Sequence, residues 1–296
     1  MKTGIVIKAY SGFYYVKDDE QGGIYECRLR GRFKKKKKRA IPGDRVGFQD
    51  LGSGLGVIEE IFERKTLLTR PTVANVEQVI ITFAAKDPDL HYKLLDQFLI
   101  MAEAAKLQIV ICLNKIDLVD EEVARKMLKL YEEIGYKTLY CSAKTKVGIE
   151  DLRETLKDKI SVFAGASGVG KSALLNAVQP GLKLATGEIS EKIRRGTHTT
   201  RHVELLQLKD GGMVADTPGF SFFDLEFLSS EELPYLFPEM VDYIGQCRFQ
   251  DCIHDHEPGC VIKEMVENGK IAKSRYENYV TFLHEIQEKE KQERGY

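Results

Sequence analysis

The period of the apolar positions changes along the chain, and the change divides it. Up to about residue 70 the apolar runs are short and punctuated by turn residues. Ile5, Val6 and Ile7 precede Ser11-Gly12, Phe13 to Val16 precede a polar stretch ending in Gly22-Gly23, and Tyr25, Cys27 and Leu29 alternate with charged residues. Pro42-Gly43-Asp44 leads into Val46 and Phe48, and Gly52-Ser53-Gly54 into Val57 and Ile58. Short strands joined by Gly-rich turns predict a small all-β barrel, and the oligonucleotide-binding (OB) type fits this length.

Past Pro71 the apolar spacing lengthens. Residues 76–85, 109–113, 138–141 and 160–164 read as buried strands. Between them, Asp89 is placed to cap a helix carrying Leu94, Leu95, Phe98, Leu99, Ala102 and Ala105. Asp120 is placed to cap a second, with an apolar stripe of Val123, Met127, Leu130 and Ile134 and a stop at Gly135. Residues 149–156 read as a shorter helix. This alternation predicts a mostly parallel sheet covered by helices from 71 to 220. The remainder, 221–296, is interrupted by Pro234, Pro238 and Pro258 and turns helical over 261–290, where Ile271, Tyr276, Tyr279, Val280, Phe282 and Leu283 offer apolar contacts. The chain is thus expected to be multidomain: an all-β OB-like barrel at 1–70, a central α/β domain at 71–220 and a mostly helical domain at 221–296.

Composition changes this picture little. Of the 296 residues, 43% are hydrophobic and 30% charged, the balance of a soluble globular protein. No apolar stretch is long enough to span a bilayer and no secretory leader is evident, so a cytoplasmic monomer without membrane contact is expected. Charge matters more. The formal net charge of -1 hides an excess in the first 70 residues, with 16 Lys or Arg against 9 Asp or Glu. Lys34, Lys35, Lys36, Lys37, Lys38 and Arg39 supply much of it, a run suited either to a solvated loop or to an RNA phosphate backbone.

The strongest chemical signal is Gly165-Ala166-Ser167-Gly168-Val169-Gly170-Lys171-Ser172, which follows a predicted strand and opens a helix-forming run. Its glycines let backbone N–H groups turn around phosphate oxygens, Lys171 reaches the terminal phosphates, and the Ser172 hydroxyl suits Mg²⁺. Downstream, Asp216-Thr217-Pro218-Gly219 leaves a strand end, with Asp216 placed to hold Mg²⁺ through water and the Gly219 N–H to sense the terminal phosphate. Between them, the loop Gly196-Thr197-His198-Thr199-Thr200 offers hydroxyls for Mg²⁺, Thr200 being preferred over Thr199.

Base selection is written upstream. Asn114-Lys115-Ile116-Asp117 follows a buried strand, and the Asp117 carboxylate can accept both the N1 and exocyclic-amine hydrogens of guanine, a pair adenine lacks. Ser142-Ala143-Lys144 matches the companion loop whose backbone reads the guanine carbonyl. These are the motifs of a Ras-like GTPase in rotated order, base-reading elements before the phosphate loop, as in circularly permuted GTPases. Phe220 stands where a water-orienting glutamine would follow Gly219, so hydrolysis should be slow unless another group contributes; His198 is the candidate.

Cys247, Cys252, His254 and Cys260 form a Cys-x4-Cys-x-His-x5-Cys array suited to tetrahedral Zn²⁺, with His256 as the alternative imidazole and a redox cluster as the alternative use. The permuted motifs, the basic β-rich start and this array together closely resemble the bacterial small-ribosomal-subunit-dependent GTPase family, RsgA (YjeQ/YloQ). The resemblance spans nearly the whole chain. It implies an OB-fold domain, a permuted GTPase domain and a zinc domain, a role for His198 in hydrolysis, and binding to the small (30S) subunit and its 16S rRNA in late maturation with subunit-stimulated conversion of GTP to GDP. Two rivals differ in kind: a GTP-dependent RNA-modifying enzyme, for which no second catalytic set is evident, and a GTP-controlled switch acting on another RNA. An ATPase is disfavoured by Asp117.

Overall fold

The computed structural model describes residues 1–31, 39–69, 71–182, 203–216, 228–293 and 295. Five strands, β1 (Lys2–Tyr10), β2 (Phe13–Asp18), β3 (Ile24–Leu29), β4 (Arg45–Gly52) and β5 (Leu55–Ile61), pair in the order β1-β2-β3-β5-β4, and β4 returns to pair with β1. That return closes the barrel. All contacts are antiparallel except β3 with β5. Alternation decides which side chains fill it: Val6, Tyr14, Val16, Cys27, Val46, Phe48 and Ile58 point inward and are buried.

The inner strand of the barrel also serves a second core. Ile5 and Ile7 on β1 pack with residues of the central domain. Farther along, Lys8 lies opposite Glu204 of β12 (Glu204–Gln207), and the Lys8 ammonium sits 2.8 Å from the Glu204 carboxylate. Barrel and central sheet therefore join edge to edge as one eleven-stranded sheet. A short hairpin, β6 (Leu67–Thr69) with β7 (Thr72–Ala74), precedes the central strands.

Those strands are β8 (Gln78–Ala84), β9 (Gln108–Asn114), β10 (Lys137–Tyr140), β11 (Ile160–Ala164) and β13 (Met213–Asp216), with β12 antiparallel beside β13. Their order is β10-β9-β8-β11-β13-β12, and the first five run parallel. Helices cover both faces, which is why every residue of β8 is buried. On one face lie α1 (Tyr92–Ala104) and α2 (Glu121–Ile134); on the other lie α3 (Ile149–Leu156) and α4 (Lys171–Val178).

Two sequence expectations shift here. The first helix begins after His91, not at Asp89, and His91 rather than Asp89 occupies the N-cap position. In α2 the buried face is Ala124, Leu128 and Tyr131, one position on from the expected stripe, leaving Val123 46% exposed. Asp120 does occupy the N-cap position, yet its side chain makes no capping bond, and Gly135 ends the helix with φ 109°.

The final segment contains a 3₁₀ turn (Leu233–Leu236), α5 (Pro238–Val241), α6 (Val261–Glu267) and α7 (Lys273–Glu293). The expected single helical stretch is split at Asn268-Gly269, where Gly269 takes φ 71°. The core of this domain includes Ile100, so it packs directly on α1. At that junction Arg275 is fully buried: its guanidinium meets Asp96 at 2.7 Å and Glu239 at 2.6 Å. Burial opposes the charge, but the two carboxylates outweigh it and hold the Arg275 pKa above its ordinary value. Asp96 also accepts from Tyr131 Oη and Asn278 Nδ2, so both of its oxygens are hydrogen-bonded within the interface.

Candidate functional site

Strands running in parallel deliver their carboxyl ends to one edge of the sheet, and the sequence-selected motifs follow those ends. β11 runs into Gly165–Ser172, β9 ends at Asn114, β10 is followed by Cys141-Ser142, and β13 closes at Asp216. Asp216 lies in register with Glu204 of β12. Its backbone alone is described.

The phosphate loop is shaped by close backbone approach. A Cβ on Gly165 would stand 2.1 Å from the Thr82 carbonyl oxygen, and one on Gly170 would stand 2.3 Å from Asn114 Nδ2. Both glycines also take positive φ, 136° and 94°, so neither position tolerates a side chain. Lys171 folds back along the loop and donates to the carbonyl oxygens of Gly165 and Ala166, each at 2.8 Å. Burial lowers its pKa from the ordinary lysine value. Ser172 follows at the second position of α4.

Asn114 binds these loops together. Its Nδ2 donates to Val169 O at 2.9 Å, and its Oδ1 accepts from Ala143 N at 3.2 Å. Ser142 Oγ donates to Asp117 Oδ1 at 2.6 Å, fixing one carboxylate oxygen and leaving the other to a ligand. Lys115, with φ 59°, donates to Asp87 O. Lys144 is the third residue of that companion loop and stays exposed. The loop after β8 therefore belongs to the rim of this site, and sequence reading missed it. Pro88 lies over Gly168, whose Cβ would be 3.8 Å from Pro88 Cδ. The Asp-Pro pair just beyond a buried strand was the available signal.

Several sequence-selected residues lie outside the described residues: His198, Thr200, Gly219, Phe220 and Lys34, Lys35, Lys36, Lys37 and Lys38. Arg39 is described and exposed.

In the carboxyl-terminal domain, Cys247, Cys252, His254 and Cys260 place their ligand atoms within 4.8 Å of one another. A tetrahedral ion with zinc's bond lengths requires S–S edges of about 3.8 Å and S–N edges of about 3.6 Å. The Cys247–Cys260 Sγ separation is 3.9 Å, and His254 Nδ1 lies 3.5 Å from each of those sulfurs. The residues thus form a Cys3His metal-binding cluster. His256 is excluded, its side chain 80% exposed and turned to Asp255.

The surroundings fit that use. Burial lowers the His254 pKa, favouring the neutral imidazole a metal requires. The Val261 N–H donates to Cys247 Sγ at 3.4 Å. His254 takes φ 63°, and its carbonyl is held by Tyr276 Oη at 3.0 Å, while Tyr279 Oη holds the Ile253 carbonyl at 2.6 Å. Glu257 accepts from the N–H groups of Ile253 and Asp255, both at 3.0 Å.

Comparison with known proteins agrees with this arrangement. The RsgA N-terminal domain family matches residues 3–58, and the RsgA GTPase family matches residues 61–226. The small ribosomal subunit biogenesis GTPase RsgA of Moorella thermoacetica is 50% identical over 283 residues, 96% of this chain and 97% of that protein. Its counterpart from a Geobacillus species is 48% identical, covering 98% of this chain and 99% of its own. Among solved structures, YjeQ from Thermotoga maritima superposes with a TM-score of 0.86 at 45% identity, covering 97% of this chain and 98% of that one. YloQ, described as a circularly permuted GTPase, gives 0.84 at 39% identity, covering 97% and 96%. Rotated motif order, a closed barrel joined to the α/β sheet and a Cys3His knuckle held by α7 thus converge on one family, and the chain belongs to the RsgA GTPases.

Proposed function

We propose that the chain hydrolyses GTP to GDP and phosphate in the biogenesis of the small ribosomal subunit, docking on that 30S particle and its 16S rRNA. The observation that carries the GTPase part is the joining of Asp117, Ser142, Asn114 and the phosphate loop by hydrogen bonds at one sheet edge. Docking rests on the family and on its relatives' names.

The residues divide the task. Asp117 accepts from the guanine edge and the backbone of the Ser142-Ala143-Lys144 loop reads the guanine carbonyl, with Lys115 and Lys144 flanking the base. The N–H groups of residues 165–172 surround the phosphates, and Lys171 exchanges its carbonyl partners for phosphate oxygens, a stronger charge-assisted contact. Ser172, Thr200 and Asp216 would hold Mg²⁺, which would supply positive charge beside the phosphates. The Gly219 N–H reports the terminal phosphate. His198 orients the attacking water once the subunit has docked, since Phe220 cannot. Zn²⁺ fits the Cys3His donors and would brace the knuckle.

The basic run from Lys34 to Arg39, between β3 and β4 in the sequence, supplies an RNA contact. Domains are assigned as 1–70, 71–220 and 221–296. Co-sedimentation of the chain with purified small subunits tests docking: retention with a non-hydrolysable GTP analogue and release with GDP support it, and equal behaviour with both nucleotides counts against it.

A further inference from the structure

The imidazole of His254 reaches the three sulfurs from a short stretch of chain whose backbone is held on both sides. The Ile253 N–H donates to Glu257 Oε1 and the Asp255 N–H to Glu257 Oε2, each at 3.0 Å. The Ile253 carbonyl accepts from Tyr279 Oη at 2.6 Å. Tyr276 Oη lies 3.0 Å from the His254 carbonyl oxygen and 3.3 Å from that of Asp255. Five backbone groups on three consecutive residues are thus held by side chains, two by Glu257 and three by α7.

His254 needs such a hold. Its φ of 63° lies in the left-handed region, where the Cβ of an L-residue crowds its own backbone. Left free, the residue would relax towards negative φ and carry Nδ1 away from the Cys247 and Cys260 sulfurs, each 3.5 Å off. The tyrosines that oppose this are themselves fixed by packing. Tyr279 is fully buried, edge-on to Phe237 with ring centroids 5.3 Å apart, and Tyr276 stacks on it at 6.3 Å. Their helix is tied to Asp96 of α1 by Arg275 and Asn278. Farther along it, His284 Nε2 lies 2.9 Å from Asp255 Oδ2, a further point of attachment for the same stretch.

We propose that Glu257 and Tyr279 are positioning residues for the metal, fixing the His254 pose through residues 253–255 and so setting how slowly the knuckle releases its ion. The assignment rests on the zinc reading above. Glu257 is no ligand: each of its carboxylate oxygens accepts from a backbone N–H. Tyr279 acts through the Ile253 carbonyl alone.

The test uses the full chain loaded with Zn²⁺ and compares Glu257→Ala, Glu257→Gln and Tyr279→Phe, which deletes a hydroxyl and keeps the packed ring. Asn278→Ala is the control, since it removes a bond between α7 and Asp96 away from the knuckle. Measured are zinc per chain, zinc release to a chromophoric chelator, the visible ligand-field spectrum after replacement by Co²⁺, and the thermal midpoint. Glu257→Ala should release zinc at least about tenfold faster and Tyr279→Phe at least about threefold, with the cobalt bands shifted in both. Glu257→Gln keeps one acceptor and should recover part of the loss. Asn278→Ala should lower the midpoint while release stays within about twofold, and in a His254→Ala background the Glu257 and Tyr279 changes should add less than about twofold. Unchanged release in Glu257→Ala and Tyr279→Phe overturns the proposal. So does release that rises equally in Asn278→Ala, or an undiminished effect once His254 is gone. If the unaltered chain holds no zinc, the zinc reading falls, and this assignment falls with it.

Discussion

Asn114 donates through its side-chain amide to the Val169 carbonyl oxygen at 2.9 Å, so the base-reading strand and the phosphate loop form one hydrogen-bonded unit. The same side chain accepts from Ala143 N. Replacement by alanine strands both backbone groups in a buried setting, at about 1–3 kcal/mol each. Asn114→Ala should therefore lower the unfolding midpoint and weaken GTP and GDP alike by at least about tenfold. Calorimetry and fluorescent-nucleotide titration read the two effects; loss of one nucleotide alone would contradict the shared hinge.

Asp117 is held by Ser142 at 2.6 Å with one carboxylate oxygen left for the base. In Asp117→Asn the amide donates where the carboxylate accepted, which opposes the guanine amine and suits the carbonyl of xanthine. Preference should reverse from GTP to xanthosine triphosphate by at least about tenfold each way, because a polar group left mismatched beneath the bound base costs about 1–3 kcal/mol. Competition binding measures it. Retained GTP preference would remove Asp117 from base reading.

Much of this was legible in the sequence because its causes are local. The strand Ile160–Ala164 and helix Ile149–Leu156 coincide with their predicted bounds, and the phosphate loop between them and α4 needs only its own glycines and lysine. What sequence could not show depends on distant partners. In α2 Met127 and Leu130 of the expected stripe pack at the edge of the core, but its centre lies one residue on, at Leu128 and Tyr131, whose hydroxyl donates to the buried Asp96. Nothing local in the sequence marks Arg275, which is enclosed by Asp96, 179 residues away, and by Glu239. The pairing of Lys8 with Glu204, which turns two domains into one sheet, has no local signature either.

That buried cluster makes a stability prediction. Arg275→Met leaves Asp96 and Glu239 unpaired beneath α1 and should destabilise the chain by about 3–5 kcal/mol. Chemical denaturation checks it. Arg125→Met, which removes an ion pair with Glu121 whose side chains are 66% and 80% exposed, should change nothing measurable. Equal effects of the two would mean the cluster is not closed to solvent.

Chelation tests the knuckle. Removing the ion leaves three thiols and an imidazole in a segment with little apolar filling of its own, and Tyr276 and Tyr279 lose a fixed backbone to bind. Three additional thiols should become reactive and the carboxyl-terminal domain should lose order. Guanine-nucleotide affinity should stay within about threefold, because the ion contributes to folding of its own domain and not to the nucleotide edge. One metal ion per chain by elemental analysis is the expected starting point. Thiols already fully reactive before chelation would contradict a metal-bound state.

His198→Ala separates binding from chemistry. GTP affinity should be retained, while turnover in the presence of small subunits should fall by at least about tenfold, since only water orientation is lost. Unchanged stimulated turnover would remove His198 from the reaction.

The central claim is tested most directly by GTP turnover of the intact chain with Mg²⁺, alone and with purified small subunits, at one stated salt concentration. The account predicts slow hydrolysis by the chain alone and at least about tenfold stimulation by small subunits, with none from large subunits, because Phe220 stands where a water-orienting glutamine would and His198 takes that role only on docking. A rate that is the same alone, with small subunits and with large ones would contradict it.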